Sequence, residues 1–332
     1  MRPLLLLPAF VSGPALVILV ASAVGGSQIA STATAPVPSI GLHTTQLPLL
    51  PPSFVRVLPD AKVSSELYVT SYNENDVDVY SEKGHNQPPS GALNGSFAQP
   101  QGIYVAKNGM VYVGDTNNDR ILVYKKGASN SFETLSDVGQ PRELTGDSNG
   151  TIYAGNVNQQ DVAVYASGST SPTSYLSVPS ADVLGIAVDA KNDLYVSFDT
   201  QTGGHGTGQV DEFLAGSTTP INLGITLVSA SGLAIDKDQN LIVCDSADSD
   251  PSKAAAYVFA PGKVTPSHTL SLPSGYPIGA ALEPTDKTIF VGANGDGQVR
   301  VYSYPAFQLM NTIATGSASP PNSIALRRPA TP

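Results

Sequence analysis

A short strand pattern recurs six times between Glu66 and Tyr302, and part of a seventh copy stands near the C-terminus. The copies centre on Leu67-Tyr68-Val69, Val111-Tyr112-Val113, Ile152-Tyr153-Ala154, Leu194-Tyr195-Val196, Leu241-Ile242-Val243 and Ile289-Phe290-Val291, whose middle residues lie 44, 41, 42, 47 and 48 positions apart. Each triplet is followed by an alternating segment that ends in an aromatic: Tyr80, Tyr124, Tyr165, Phe213, Phe259 and Tyr302. A third apolar segment precedes most triplets, as in Gly102-Ile103-Tyr104-Val105 and Gly232-Leu233-Ala234-Ile235, with Glu143-Leu144 as a degenerate version. Lys107-Asn108-Gly109 and Ser148-Asn149-Gly150 separate this segment from the triplet, and Asn-Gly between apolar runs predicts a tight hairpin of type I′.

Repeats of roughly 40–50 residues with several strands and no helical period predict an all-β fold, a six-bladed β-propeller with one repeat per blade around a central channel. The first repeat lacks its opening strand, and the half-copy Pro321-Asn322-Ser323-Ile324-Ala325-Leu326 has the form of one. The ring is therefore expected to close by pairing Ser323–Leu326 with Leu67–Val69, which leaves no open sheet edge there. Fixed recurrence of the six aromatics predicts packing between neighbouring blades, because each repeat must bury a face against the next.

The chain divides into residues 1–23, a signal peptide or membrane anchor; 24–65, a linker; 66–328, the propeller; and 329–332, a tail. Arg2, an apolar run from Leu4 to Val20 and Ala21-Ser22-Ala23 form an export signal with a cleavage pattern after Ala23. Uncleaved, the run is near the length of a bilayer span, and this is the one expected route to a membrane. The linker is rich in Pro, Ser and Thr, with Pro36, Pro38, Pro48, Pro51 and Pro52, and reads as a spacer. The product is expected to be exported, whether periplasmic, cell-surface or secreted, and monomeric.

A net charge of −10 with only 17 Lys plus Arg excludes an extended phosphate-binding surface, so nucleic acid is not an expected partner. Cys244 is the single cysteine, so no internal disulfide can form, and its place after the fifth triplet predicts a buried, inert thiol.

The second copy, Val113-Gly114-Asp115-Thr116-Asn117-Asn118-Asp119-Arg120-Ile121-Leu122-Val123-Tyr124, resembles the NHL-repeat signature, and the other copies keep its strands while mostly losing its Arg. The resemblance implies a propeller whose relatives include metal-dependent lactonases and lyases. In the lactonases, acidic and amide ligands converge on the channel mouth. The residues expected just before the opening strands here are Gln101, Arg142, Leu184, Ser231, Ile278 and Asn322, with no carboxylate among them, which counts against that chemistry.

Polar residues gather where the second strand of each blade turns into the third: Asn73; Asp115 and Asn117; Asn156 and Asn158; Asp199; Asp245, Asp248 and Asp250; Asn294. Propeller geometry places these on one face. They serve there as turn formers or as a face that binds a protein or glycan. Asp245, Asp248 and Asp250 are the densest oxygen ligands and the candidate Ca²⁺ set, although they lack the glycine and glutamate of an EF-hand loop; no other cofactor is expected. His205, in the glycine-rich stretch Asp199–Gln209, and Asp245 are the candidates for acid–base chemistry on the same face. No catalytic set is complete, so the expected function is an exported, non-enzymatic binding propeller. The alternative is a hydrolase or lyase sited in the channel, and a structural spacing role is a third reading.

Overall fold

The computed structural model describes residues 65–136, 139–178, 182–200, 207–273, 275–316 and 320–327. The signal segment, nearly all of the linker, the 329–332 tail and His205 lie outside them.

Six four-stranded antiparallel sheets make up the described chain. Their inner strands are Pro321–Arg327 in blade 1, then Pro100–Val105, Pro141–Gly146, Asp182–Val188, Ala230–Ile235 and Pro277–Leu282 in blades 2 to 6. The sequence triplets form the second strand of each blade and the aromatic-ended segments the third. The inner strands contact one another in an unbroken ring. Closure occurs where expected: Glu66 pairs with Arg327, Leu67 with Leu326, Tyr68 with Ala325 and Val69 with Ile324. The seam is held further by an ion pair of Arg327 with Glu66 at 2.7 Å, both largely buried. Among the described residues no helix is long and apolar enough to cross a membrane.

A fourth, outer strand in each blade was not legible in the sequence. In blades 2 to 6 it is Ser131–Ser136, Ser174–Ser177, Ile221–Leu227, His268–Ser271 and Leu309–Ala314; in blade 1 it shrinks to Gly91–Ala92. His268 opens one of these strands opposite Val258.

The hairpins between inner and second strands differ from the type I′ expectation. At Lys107-Asn108-Gly109 only Gly109 has positive φ, and the hydrogen bonds run from Gly109 N to Ala106 O and from Ala106 N to Met110 O. This is a type I turn followed by a left-handed residue, which needs one permissive position and not two. Blade 3 repeats it at Gly150, and Asn192 and Gln239 take the left-handed position in blades 4 and 5.

Six apolar clusters fill the six interfaces between blades. Tyr165 of blade 3 packs with Ile121 and Val123 of blade 2, Phe213 of blade 4 with Val162 and Leu176 of blade 3, and Phe259 of blade 5 with Val210 and Ile225 of blade 4. Tyr80, Tyr124 and Tyr302 complete the set against the preceding blade in the ring. Each aromatic is buried and contributes about 1.5–3 kcal/mol through apolar area alone. Polar ends are satisfied in place: the hydroxyls of Tyr124 and Tyr165 donate to the carbonyls of Asn94 and Ser136 on the neighbouring blade. Cys244 is buried in the cluster between blades 5 and 6, where burial pushes its thiol up to about 12.

Candidate functional site: the loop-side mouth of the channel

Pairing of Pro100 with Asp115, Pro141 with Asn156, Asp182 with Asp199 and Ala230 with Asp245 shows that inner strands begin on the face where second strands end. That face carries the polar residues singled out from the sequence. In blades 2 to 6 the first residues of the inner strand contain a β-bulge. A bulge re-aims side chains, and here the position after the strand's first residue lines the channel. Gln101, Arg142, Leu184, Ser231, Ile278 and Asn322 accordingly form one layer at the mouth of a cavity of about 230 Å³. They lie inside the strands, not before them.

The terminal acid or amide of the second strand is buried in four blades: Asp115, Asn156, Asp199 and Asp245 are at most 1 % exposed. Asp245 accepts backbone N–H groups from Val228 (3.0 Å), Ser229 (2.8 Å) and Ala247 (3.0 Å). Asp115 accepts Ala98 N–H at 2.7 Å through one oxygen; its other oxygen takes Asn118 Nδ2 at 2.9 Å and Arg120 Nε at 2.7 Å. Arg120 continues to the carbonyls of Gly95 and Ser96. These carboxylates gather the amides of the segment that crosses from one blade to the next. Asn156 Nδ2 donates to Asp161, and Asp199 accepts Ser229 Oγ at 3.0 Å across a blade boundary. Burial pushes Asp199 up to about 6, with the Ser229 hydroxyl pulling the other way.

Residues 97–124, which contain this Asp115–Arg120 lock, match the NHL repeat family. The chain is a six-bladed β-propeller carrying an NHL repeat. No curated protein matches its sequence. Solved structures similar to this propeller include a chain of the nidogen/laminin complex, with TM-score 0.66 and 14% identity over 80% of this chain and 100% of that one. Hydrazine synthase of Kuenenia stuttgartiensis aligns with TM-score 0.54 and 16% identity, covering 77% of this chain and 87% of that one. The WD40 β-propeller domain of Doa1 aligns with TM-score 0.56 and 16% identity, covering 76% and 80%. At these identities the likeness is one of fold.

Other sequence candidates on the propeller's loop face separate by exposure. Asn73, Asn117 and Asn158 are exposed, and Asn294 is half-buried with Nδ2 donating to Pro321 O at 3.1 Å. The Asp245–Asp250 run does not point its carboxylates at one spot. Asp245 is occupied by three amides, Asp248 accepts Ser246 Oγ at 2.6 Å, and Asp250 takes Ser252 and Lys253. Among the described residues no group of three or more His, Cys, Asp or Glu is arranged to hold a metal ion. Three of the roughly four acceptor positions of Asp245 are thus held by the backbone, which ties it to the loop.

The structure adds a residue that the sequence reading left out. Gly102, Gly185, Gly232 and Gly279 occupy the third layer position of their inner strands, where the backbones of neighbouring blades come close; a Cβ on Gly232 would lie 2.5 Å from Ile278 O. Blade 3 has Glu143 at that position and blade 1 has Ser323. Ser323 Oγ donates to Glu143 Oε2 at 3.2 Å, so the two side chains meet inside the channel. Glu143 lines both the mouth cavity and the wider cavity of about 420 Å³ behind it. Its residual exposure is to the channel's own lumen, while protein surrounds it on every side, and burial pushes its carboxyl up to about 8 against the pull of Arg142 and the Ser323 hydroxyl. A carboxyl therefore does reach the mouth, at a repeat position where glycine or serine stands in every other blade.

Tyr276 closes one side of the mouth. It holds φ of 48° immediately before Pro277, a left-handed conformation that a bulky residue ahead of proline adopts only under constraint. Its carbonyl accepts Asn294 N–H, and its hydroxyl bonds Asp248. Burial first, and Asp248 second, push the phenol up to about 12. Gln99 and Gln140 repeat the left-handed residue before Pro100 and Pro141.

Proposed function

We propose that this chain is an exported, non-enzymatic propeller that binds a protein or glycan through its loop face, with the channel mouth at the centre of the footprint. The observation that carries this reading is the convergence of Gln101, Arg142, Tyr276, Asn294 and Asn322, from four different blades, on one small polar cavity. The similar nidogen chain comes from a nidogen/laminin complex, which is consistent with a propeller used for binding. Export rests on the N-terminal apolar run and its cleavage pattern.

The test is capture from glycan and protein arrays by the full chain and by a Gln101→Ala/Asn322→Ala double variant. Binding that falls at least tenfold in the variant supports the reading. Binding undiminished in the variant, or metal-dependent lactone hydrolysis by the wild type, contradicts it.

A second reading, hydrolysis or elimination in the channel, has one observation in its favour. Glu143 lies beside Arg142 with a carboxyl poised to exchange a proton near neutral pH. Loss of a measured turnover in Glu143→Gln, with an unchanged melting curve, would establish it.

A further inference from the structure

The mouth cavity has a definite charge and hydrogen-bonding pattern. Arg142 is the one cation among the described residues that line it. Its guanidinium forms no ion pair or hydrogen bond with another described side chain, although Asp199 and Glu143 both act on it electrostatically. These neighbours do not neutralise it fully. Burial keeps Glu143 largely protonated at neutral pH, and Asp199 stays charged but acts on the guanidinium without an ion pair to it. A planar fork of donors facing a small cavity matches a carboxylate better than any neutral group.

Beside Arg142 runs a chain of carboxamides. Asn294 Nδ2 lies 3.4 Å from Asn322 Oδ1, and Asn322 Nδ2 donates to Gln101 Oε1 at 3.3 Å. In this arrangement each amide orients the next, leaving Gln101 Nε2 as a donor and Asn294 Oδ1 as an acceptor toward the cavity. Donor and acceptor stand at opposite ends of this chain, which suits well-separated hydroxyls of one ring. The rings of Tyr72 and Tyr276 supply apolar faces on the same lining. A cavity of about 230 Å³ admits one hexose ring and little more.

We infer that the loop-side mouth takes a sugar residue bearing a carboxylate, with Arg142 gripping the carboxylate and the Gln101–Asn322–Asn294 chain and the two tyrosines holding the ring. This rests on the reading of the mouth as a binding site and names the ligand class for it. The net charge of −10 does not forbid an acidic ligand, because charges beyond about 8–10 Å are screened at physiological salt while the Arg142 contact is direct.

The test is calorimetric titration of the full chain with glucuronate, galacturonate and their short oligomers, against the neutral hexoses, a sulfated hexose and inorganic sulfate. The expected result is uronate binding at least tenfold tighter than the neutral parent. Arg142→Gln should abolish that preference without changing the melting curve, and Arg142→Lys should restore part of it. Equal binding of neutral sugars, uronate binding unaltered in Arg142→Gln, or preference for sulfate would overturn the inference while leaving the mouth a binding site. A protein partner whose capture depends on Gln101 and Asn322, with no sugar bound, would do the same. If nothing that the chain binds responds to substitution at the mouth, the underlying reading falls as well.

Discussion

Asp115 and Asp245 show how one buried carboxylate can organise a loop that its own strand never touches. Each ends a second strand and collects amides from the segment leading into the inner strand, a charge-assisted arrangement stronger than neutral hydrogen bonds. Removing the carboxylate leaves donors buried without partners. Asp115→Ala is therefore expected to cost about 1–3 kcal/mol, the penalty of the donors it leaves unpaired, and denaturant unfolding measures it. Glu143 works in the opposite sense. Its folded pKa of about 8 lies above the ordinary 4.5, so between these values the folded state holds a proton that the unfolded state has released. The contribution of this group therefore weakens as pH rises from about 4.5 to 8 and levels off above. Glu143→Gln removes that dependence: its melting temperature should exceed the wild type's at pH 9, with the gap closing toward pH 5. The NHL-like lock was legible from Asp115, Asn118 and Arg120, because the residues that make it stand within six positions. Glu143 was not, because it looked like a poor copy of an apolar strand. Its signal lay in the column of the repeat, an acid where the other blades have Gly or Ser.

At the scale of strands, alternation and aromatic endings exposed the second and third members of every blade, and apolar segments led by glycine exposed most inner ones. Outer strands escaped because each buries so little. Leu176 is the one buried residue in Ser174–Ser177, and Leu270 the one in His268–Ser271, so no period of two can be read. Inner strands depend on close approach, and a side chain at Gly232 has nowhere to go. Gly232→Ala should lower stability by about 1–3 kcal/mol through overpacking, whereas Gly216→Ala, with open space around it, should cost only the smaller strain of a left-handed backbone. The aromatic column belongs to the same scale. Tyr165→Ala is expected to cost about 3–5 kcal/mol, the range for emptying a packed aromatic site, and Tyr165→Phe much less. Thermal melts of the two variants make the comparison.

Across the whole molecule, six similar sheets are held by six interfaces, and the ring exists only because Pro321–Arg327 returns to Glu66–Ser71. Count and closure could be read from the repeat because both are properties of spacing. The mouth could not. Arg142, Tyr276 and Asn322 are spread over 180 positions of chain, and only the ring, with its repeated bulges, brings them to one cavity. Hydrogen–deuterium exchange on the intact chain tests the ring most directly. The account predicts that amides of Ile324–Leu326 and of Leu67–Val69 exchange as slowly as those of the other inner and second strands, and open together with them. A C-terminal segment that exchanges freely while the remaining blades stay protected would contradict it.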